Sequence, residues 1–141
     1  MTSPVVWDHA YAVASAAAQT DSLKVLDAGA QNPSVPSGPY WLIETASSRG
    51  DRAEMGSKLS EENGTIWLHL MMPPGLGTPP ALAFTKRMSD WFRKAQDGQF
   101  NNLPEGLVYY SQSDDPPDLN QEGSRVRFSV SFDYQYRDIL V

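Results

Sequence analysis

The 141-residue chain contains no cysteine. A disulfide framework and a Cys-ligated zinc site are therefore both excluded. A chain of this length buries roughly 68% of the surface that its unfolded form exposes, so it needs neither device to fold. The lack of cysteine is also typical of a protein that folds in a reducing cytoplasm.

Long apolar runs are missing as well, since none approaches the ~20 residues that span a bilayer. The stretch from Met1 to Ala18 has no basic residue, and Asp8 and His9 interrupt its apolar positions. Both features argue against a signal peptide. We therefore expect one domain over residues 1–141, made in the cytoplasm and without a membrane partner.

Histidine is scarce, and no sequence motif of a catalytic or phosphate-binding site is present. His9 and His69 have no second histidine at metal-ligand spacing, which makes a zinc site improbable. The prolines around Gly75-Leu76-Gly77 remove backbone donors that a phosphate would need. Asp114, Asp115 and Asp118 lack the spacing of an EF-hand loop. The sequence thus predicts no catalytic residue, no metal and no cofactor.

Net positive charge is also lacking, because 11 basic residues face 17 acidic ones and the formal net charge is -6. An acidic chain is repelled by bulk nucleic acid. We expect no specific binding to DNA or RNA, although such a protein can encircle DNA without binding it tightly.

The strongest pattern that the sequence does contain is an alternating run from Ser124 to Arg137, which predicts a strand with one apolar and one polar face. Three further strands are predicted at residues 40–45, 64–72 and 106–111, and helices at residues 3–18 and 78–95. Residues 24–26 are predicted to form either a turn or a short strand. The predicted fold is α+β, in the order α-β-β-α-β-β: a mainly antiparallel four-stranded sheet with both helices packed on one face. The predicted core residues are Leu68, Leu70, Met88, Trp91, Phe92, Val126, Phe128, Val130 and Phe132.

Two polar segments are predicted to connect strands. Residues 46–63 form a long charged excursion, and residues 112–123 form an acidic loop. Loops this long within a compact domain are usually functional or disordered. We therefore expect contacts with other protein chains here, through Arg49, Asp51, Arg52, Glu54, Lys58, Glu61, Glu62, Asp114, Asp115 and Asp118.

In its layout, the whole chain resembles the bacteriophage tail-terminator proteins, also called tail-completion or minor tail proteins. The resemblance rests on the type and order of several structural features rather than on one signature motif. They are the short N-terminal helix, the Asn32–Pro39 loop, the Tyr40-Trp41 strand start, the charged excursion, the strand Gly64–Leu70, the connector Pro73–Gly77, the helix ending at Trp91-Phe92, and the strands Leu107–Ser111 and Val126–Arg137.

The resemblance implies a ring, usually a hexamer, that sits on the last ring of tail-tube protein. Such a ring stops tube growth and offers a docking surface to the head–tail connector or neck proteins, while DNA passes through its lumen. The implied partners are other copies of the chain, the tail-tube protein, the connector and, as a further candidate, the tail-sheath protein. The implied location is the tail-neck region of the virion. The family has no catalytic residues.

Other functions fit the same sequence. A head–tail connector or a tail-tube subunit would also belong to the virion, but tube subunits polymerise into long rods. A small enzyme or ligand-binding domain would need a concave pocket with convergent polar groups. His69, Trp67 and the nearby carboxylates are its candidate residues, although a histidine in a strand is more often a hydrogen-bonded structural residue.

Overall fold

The computed structural model describes residues 2–30, 36–47, 51–52, 59–98, 103–118 and 125–139. Two helices and six strands follow one another along the chain. In chain order they are α1 (Pro4–Gln19), β1 (Val25–Asp27), β2 (Tyr40–Ser47), β3 (Asp51–Arg52), β4 (Leu59–Met72), α2 (Thr78–Gln96), β5 (Leu107–Asp118) and β6 (Val126–Ile139).

Both predicted helices are confirmed, with ends set by local chemistry. Proline opens each helix at its first turn, where a backbone N–H has no partner within the helix to lose. Helix α1 is rich in alanine, the strongest helix former. Helix α2 starts after Gly77 and stops before Gly98, two glycines with φ of 78° and 74° that L side chains rarely adopt.

The sheet is larger than predicted and is not purely antiparallel. Its strand order is β1-β2-β4-β6-β5, and the two-residue β3 pairs separately with β4. Strand β1 runs parallel to β2, and the other pairs are antiparallel. The α+β class is confirmed, but the prediction of a mainly antiparallel sheet of only four strands was wrong in the number of strands and did not foresee the parallel pair. Three residues are too few to show an alternating pattern, so the pairing of β1 rests on tertiary contacts such as Trp41 N to Lys24 O at 2.9 Å.

Much of the predicted charged excursion is strand in its described part. Strand β4 begins at Leu59 rather than at Gly64, and β2 extends to Ser47. Strand β3 pairs with residues 60 and 61 of β4, so it follows β2 along the same side of that strand. Charged residues are compatible with strands here, because hydrogen bonds between backbone groups, rather than side chains, pair this part of the sheet.

The predicted acidic loop is also partly strand, since β5 continues to Asp118. Asp114 and Asp115 lie opposite Val130 and Ser129 of β6, and Asp118 lies opposite Arg127 after a register shift. Strand β5 is the last in the sheet, and prolines such as those at positions 116 and 117 are tolerated on edge strands. Backbone pairing with β6 thus decided this conformation.

Both helices pack on one face of the sheet, as predicted. Alternate residues of β4 and β6 point to that face, and rings such as Phe92 and Phe132 stack with centroids 4.1 Å apart. Of the predicted core residues, Trp91 and Val126 are half-buried against this core. The others are buried, namely Leu68, Leu70, Met88, Phe92, Phe128, Val130 and Phe132.

Gly64 tests how tightly the centre of the sheet is packed. A Cβ at this position would lie 2.5 Å from the Ala46 carbonyl oxygen and 2.7 Å from the Tyr134 ring. We predict that Gly64→Ala lowers the free energy of unfolding by about 1–3 kcal/mol in urea denaturation, because backbone or ring must shift. Gly38→Ala is the control, since no atom lies within 4 Å of its Cβ. Equal stability of both variants would contradict this packing.

Candidate functional site

The two described helices leave the opposite side of the sheet without a helical layer. We call that side, as defined by the strand register, the open face. The pairing places Glu44 of β2, Trp67 and His69 of β4, and Ser129 of β6 on it, side by side across three strands. The further residues there include Leu42, Glu61, Thr65, Val108, Ser111, Ser113, Asp115, Arg127, Ser131, Asp133, Gln135 and Arg137.

A line of polar contacts crosses the middle of the open face. His69 Nδ1 lies 2.7 Å from Ser129 Oγ, and His69 Nε2 lies 3.4 Å from Glu44 Oε2. Trp67 stacks on the imidazole with centroids 6.0 Å apart and planes 8° from parallel. Burial lowers the pKa of His69 and the charge of Arg127 lowers it further, against an opposing effect of Glu44. The imidazole is therefore neutral at pH 7, accepting from one neighbour and donating to the other.

The order carboxylate, imidazole, hydroxyl resembles the arrangement of an activated serine nucleophile. Acyl transfer also needs donors for the developing oxyanion, most often free backbone N–H groups. Strand β6 is paired on both sides, with β4 and with β5, so the backbone around Ser129 is engaged in the sheet. Ser129 is also only 7% exposed. The line is suited to joining three strands in register rather than to catalysis.

Asp133 makes a second set of cross-strand contacts on the same face. Its Oδ1 accepts a hydrogen bond from Thr65 Oγ1 at 2.8 Å, and its Oδ2 accepts one from Ser111 Oγ at 3.0 Å. Glu61 lies nearby and accepts from Gln135 Nε2, with Arg137 Nε 3.7 Å from its other oxygen. Glu61, a predicted contact residue, is thus half-buried and paired within its own chain.

Glu62 lies on the helix side of the sheet, 7% exposed. Its carboxylate accepts hydrogen bonds from Tyr134 Oη at 2.5 Å, from Ser3 Oγ at 2.7 Å and from Ser3 N at 3.2 Å. Burial raises the pKa of Tyr134, and the hydrogen bond to Glu62 adds to that rise. Negative charge is favourable at the start of a helix, so Glu62 anchors α1 to the sheet. The alternation that continues backwards from Ile66 was the signal that could have identified it.

The other predicted contact residues divide between two regions. Asp51 and Arg52 form β3 at one end of the sheet, while Arg49, Glu54 and Lys58 lie outside the described residues. The exposed Asp114 and Asp115 lie on β5 opposite residues 129–130, whereas β3 and the start of β4 lie near residues 137–139. The described residues of the two groups are therefore not brought together.

A cleft between α2 and β5 has a volume of about 430 Å³ and contains Leu82, Arg93 and Asp114. Within the described part of the chain, no group of three or more histidine, aspartate and glutamate side chains is arranged to hold a metal ion. Neither described helix is long and apolar enough to cross a membrane.

Comparison of the sequence with protein-family models and with curated proteins finds no match. The function is therefore argued from the geometry of the chain itself.

Loss of the buried carboxylate provides a test of the α1 anchor. We predict that Glu62→Ala lowers the free energy of unfolding by about 2–4 kcal/mol, because it removes three hydrogen bonds and leaves the buried Tyr134 hydroxyl only the longer contact with Thr2 Oγ1 at 3.4 Å. Urea denaturation measures the change. Glu105→Ala is the control, since Glu105 is exposed. A loss below about 0.5 kcal/mol, the range of ordinary surface changes, would contradict the anchor.

The two histidines predict an acid-sensitive fold. Burial lowers the pKa of both His9 and His69 from 6.5, so the unfolded chain binds protons more readily than the folded one. Their contribution to stability is complete above pH 6.5 and is lost as the pH falls from 6.5 towards their folded pKa. We expect the double variant His9→Gln, His69→Gln to show a shallower loss of stability between pH 7.5 and 5.5 in urea denaturation. Identical slopes for both proteins would refute this assignment.

Proposed function

We propose that the chain is a non-catalytic structural protein of the virion, similar in role to phage tail terminators. Six copies form a ring that caps the tail tube and stops its polymerisation. The ring provides the joining surface for the head–tail connector at the neck, and DNA passes through its lumen. Assembly takes place in the host cytoplasm.

The observation that carries the proposal is the open face. Helices cover one side of the sheet, while the other side presents the half-buried Trp67 and Leu42 and the 50% exposed Val108. Apolar groups that are rimmed by polar side chains mark interaction surfaces, and Trp is enriched at their energetic centres. A subunit of this build has a large surface available for neighbours in an assembly.

The end of the sheet adds a second surface for contacts. Ser3, which precedes α1, bonds to Glu62, and residues 59–61 of β4 lie beyond that contact. They pair with residues 137–139 of β6, and β3 pairs alongside. This three-stranded end, which we call the arm, extends past the start of α1. It suits a contact with the tail tube or with an adjacent ring.

Charge and chemistry support the same assignment. The net charge of -6 disfavours adhesion to DNA, which suits a lumen through which DNA slides. The backbone groups next to the cross-strand line of Glu44, His69 and Ser129 are engaged in pairing β6 with β4 and β5. A non-catalytic role follows more directly from this arrangement than an enzymatic one.

The arm provides the test of tube capping. We predict that replacing Asp51 and Arg52, the two residues of β3, with proline leaves a folded protein that no longer limits tail length, as seen by electron microscopy with tail-tube subunits. Proline has no backbone N–H for the pairing of β3 with β4, and the change leaves Glu62, the anchor of α1, in place.

The matched control replaces the exposed turn Ala28–Ala30, which follows the edge strand β1, with Ser-Gly-Ser. It should cap tubes as the unaltered protein does. Tails of normal length with the arm variant would contradict the role of the arm. Long hollow rods formed by the unaltered protein alone would instead indicate a tube subunit.

A further inference from the structure

We propose that the outer side of helix α2 in one copy packs on the open face of the next copy. Each sheet would then lie between its own two helices and a helix of its neighbour. The contact is heterologous, since it joins two different surfaces of the same chain. The inference rests on the proposed ring and identifies the surfaces that build it.

Helix α2 is amphipathic, and its exposed charged residues are mostly basic although the chain as a whole is acidic. Ala81, Met88, Phe92 and Ala95 are its buried residues. Outside that buried stripe, the helix carries four basic residues against one acidic residue, for a net of 4 − 1 = +3, whereas the whole chain has -6. The four are exposed, namely Lys86, Arg87, Arg93 and Lys94, and the acidic residue is Asp90. Lys86 pairs with Asp90 and Arg87 pairs with Asp21, so part of this charge is balanced within the chain.

An apolar side chain lies among these charges. Leu82 is 57% exposed where α2 borders its cleft with β5, the largest exposed fraction of any large apolar residue in the described part of the chain. Helical spacing places it near Lys86 and Arg93, four and eleven residues further on. A surface that combines an exposed leucine with basic side chains is suited to binding a surface that is apolar and acidic.

The open face has the complementary composition. Its described charged side chains are three arginines and four carboxylates, a net of 3 − 4 = −1, with His69 neutral. Trp67, Leu42 and Val108 provide apolar area between them. The carboxylates are Glu44, Glu61, Asp115 and Asp133, and the arginines are Arg127, Arg137 and Arg125, whose guanidinium lies over the Tyr40 ring.

The dimensions of the two surfaces agree. Five strands at about 4.8 Å spacing place the outer strands about 19 Å apart, which is the width of two helices. Helix α2 has 19 residues and is therefore about 28 Å long. The 14 residues of β4 extend about 46 Å, so the open face can receive the whole helix.

Charge also selects the head-to-tail arrangement. Two α2 surfaces brought together would place like charges in contact, and so would two open faces. A basic helix against an acidic face avoids this repulsion and favours binding of the two different surfaces. Repetition of such a contact generates a ring if the rotation between copies closes, or a filament if it does not.

Complementary charge reversals test the contact. One variant carries Lys86→Glu and Arg93→Glu on α2, and the other carries Glu44→Lys and Asp115→Lys on the open face. We expect each alone to assemble at least about tenfold more weakly, because like charges then meet. An equimolar mixture should regain assembly with the two variants alternating, as native mass spectrometry would show.

Leu82→Asp tests the same contact without altering buried residues, and Leu76→Asp is its control, since Leu76 is 46% exposed in the connector before α2. We expect Leu82→Asp to dissociate the assembly and Leu76→Asp to leave it intact. Thermal unfolding should show that both variants remain folded.

The outcomes separate this contact from the proposed function. Assembly of both reversal variants and of Leu82→Asp as in the unaltered protein would overturn the contact while leaving the ring intact. Failure of the mixture to regain assembly would overturn the pairing of the two surfaces. An unaltered protein that forms open filaments would support the contact and refute the ring. One that remains monomeric with and without tube subunits would refute both.

Discussion

The 14-residue ladder between β4 and β6 is the constraint on which the rest of this structure depends. Its register runs from Leu59 opposite Ile139 to Met72 opposite Val126, and every side chain takes its face from it. Since side chains alternate with a period of two, a slip of one residue would exchange the core residues with those of the open face. Gly64, which leaves room for the Tyr134 ring, and Glu62, which bonds to that tyrosine, are compatible with one register only.

The two faces of this ladder contribute differently. The helix side buries the large apolar groups, which supply most of the stabilising free energy. The open face is joined by polar contacts such as His69 to Ser129 and Asp133 to Thr65, each of which contributes about 1 kcal/mol or less. Stability therefore does not require a second layer of this chain. On the proposed function, the open face is available to a neighbour for this reason.

Prediction from the sequence succeeded where a pattern is long and local. The alternation from Val126 onward and the helical spacing around Phe92 were sufficient for the helices, for the central strands and for most core residues. It failed for short or polar segments. Strand β1 has three residues, too few for the sequence to decide between a turn and a strand. The acidic part of β5 is extended because β6 pairs with it, although its charge and prolines disfavour a strand.

The α+β class, the acidic charge and the face towards which each long apolar pattern points can be read from the sequence, because they depend on residues close together in the chain. The roles of single polar residues depend on the tertiary fold. Glu62 and Ser3 are 59 residues apart, and His69 and Ser129 are 60 apart. A charged side chain needs either a partner in the protein or contact with water, and the fold determines which of the two it has. A predicted surface carboxylate thus became the buried anchor of α1.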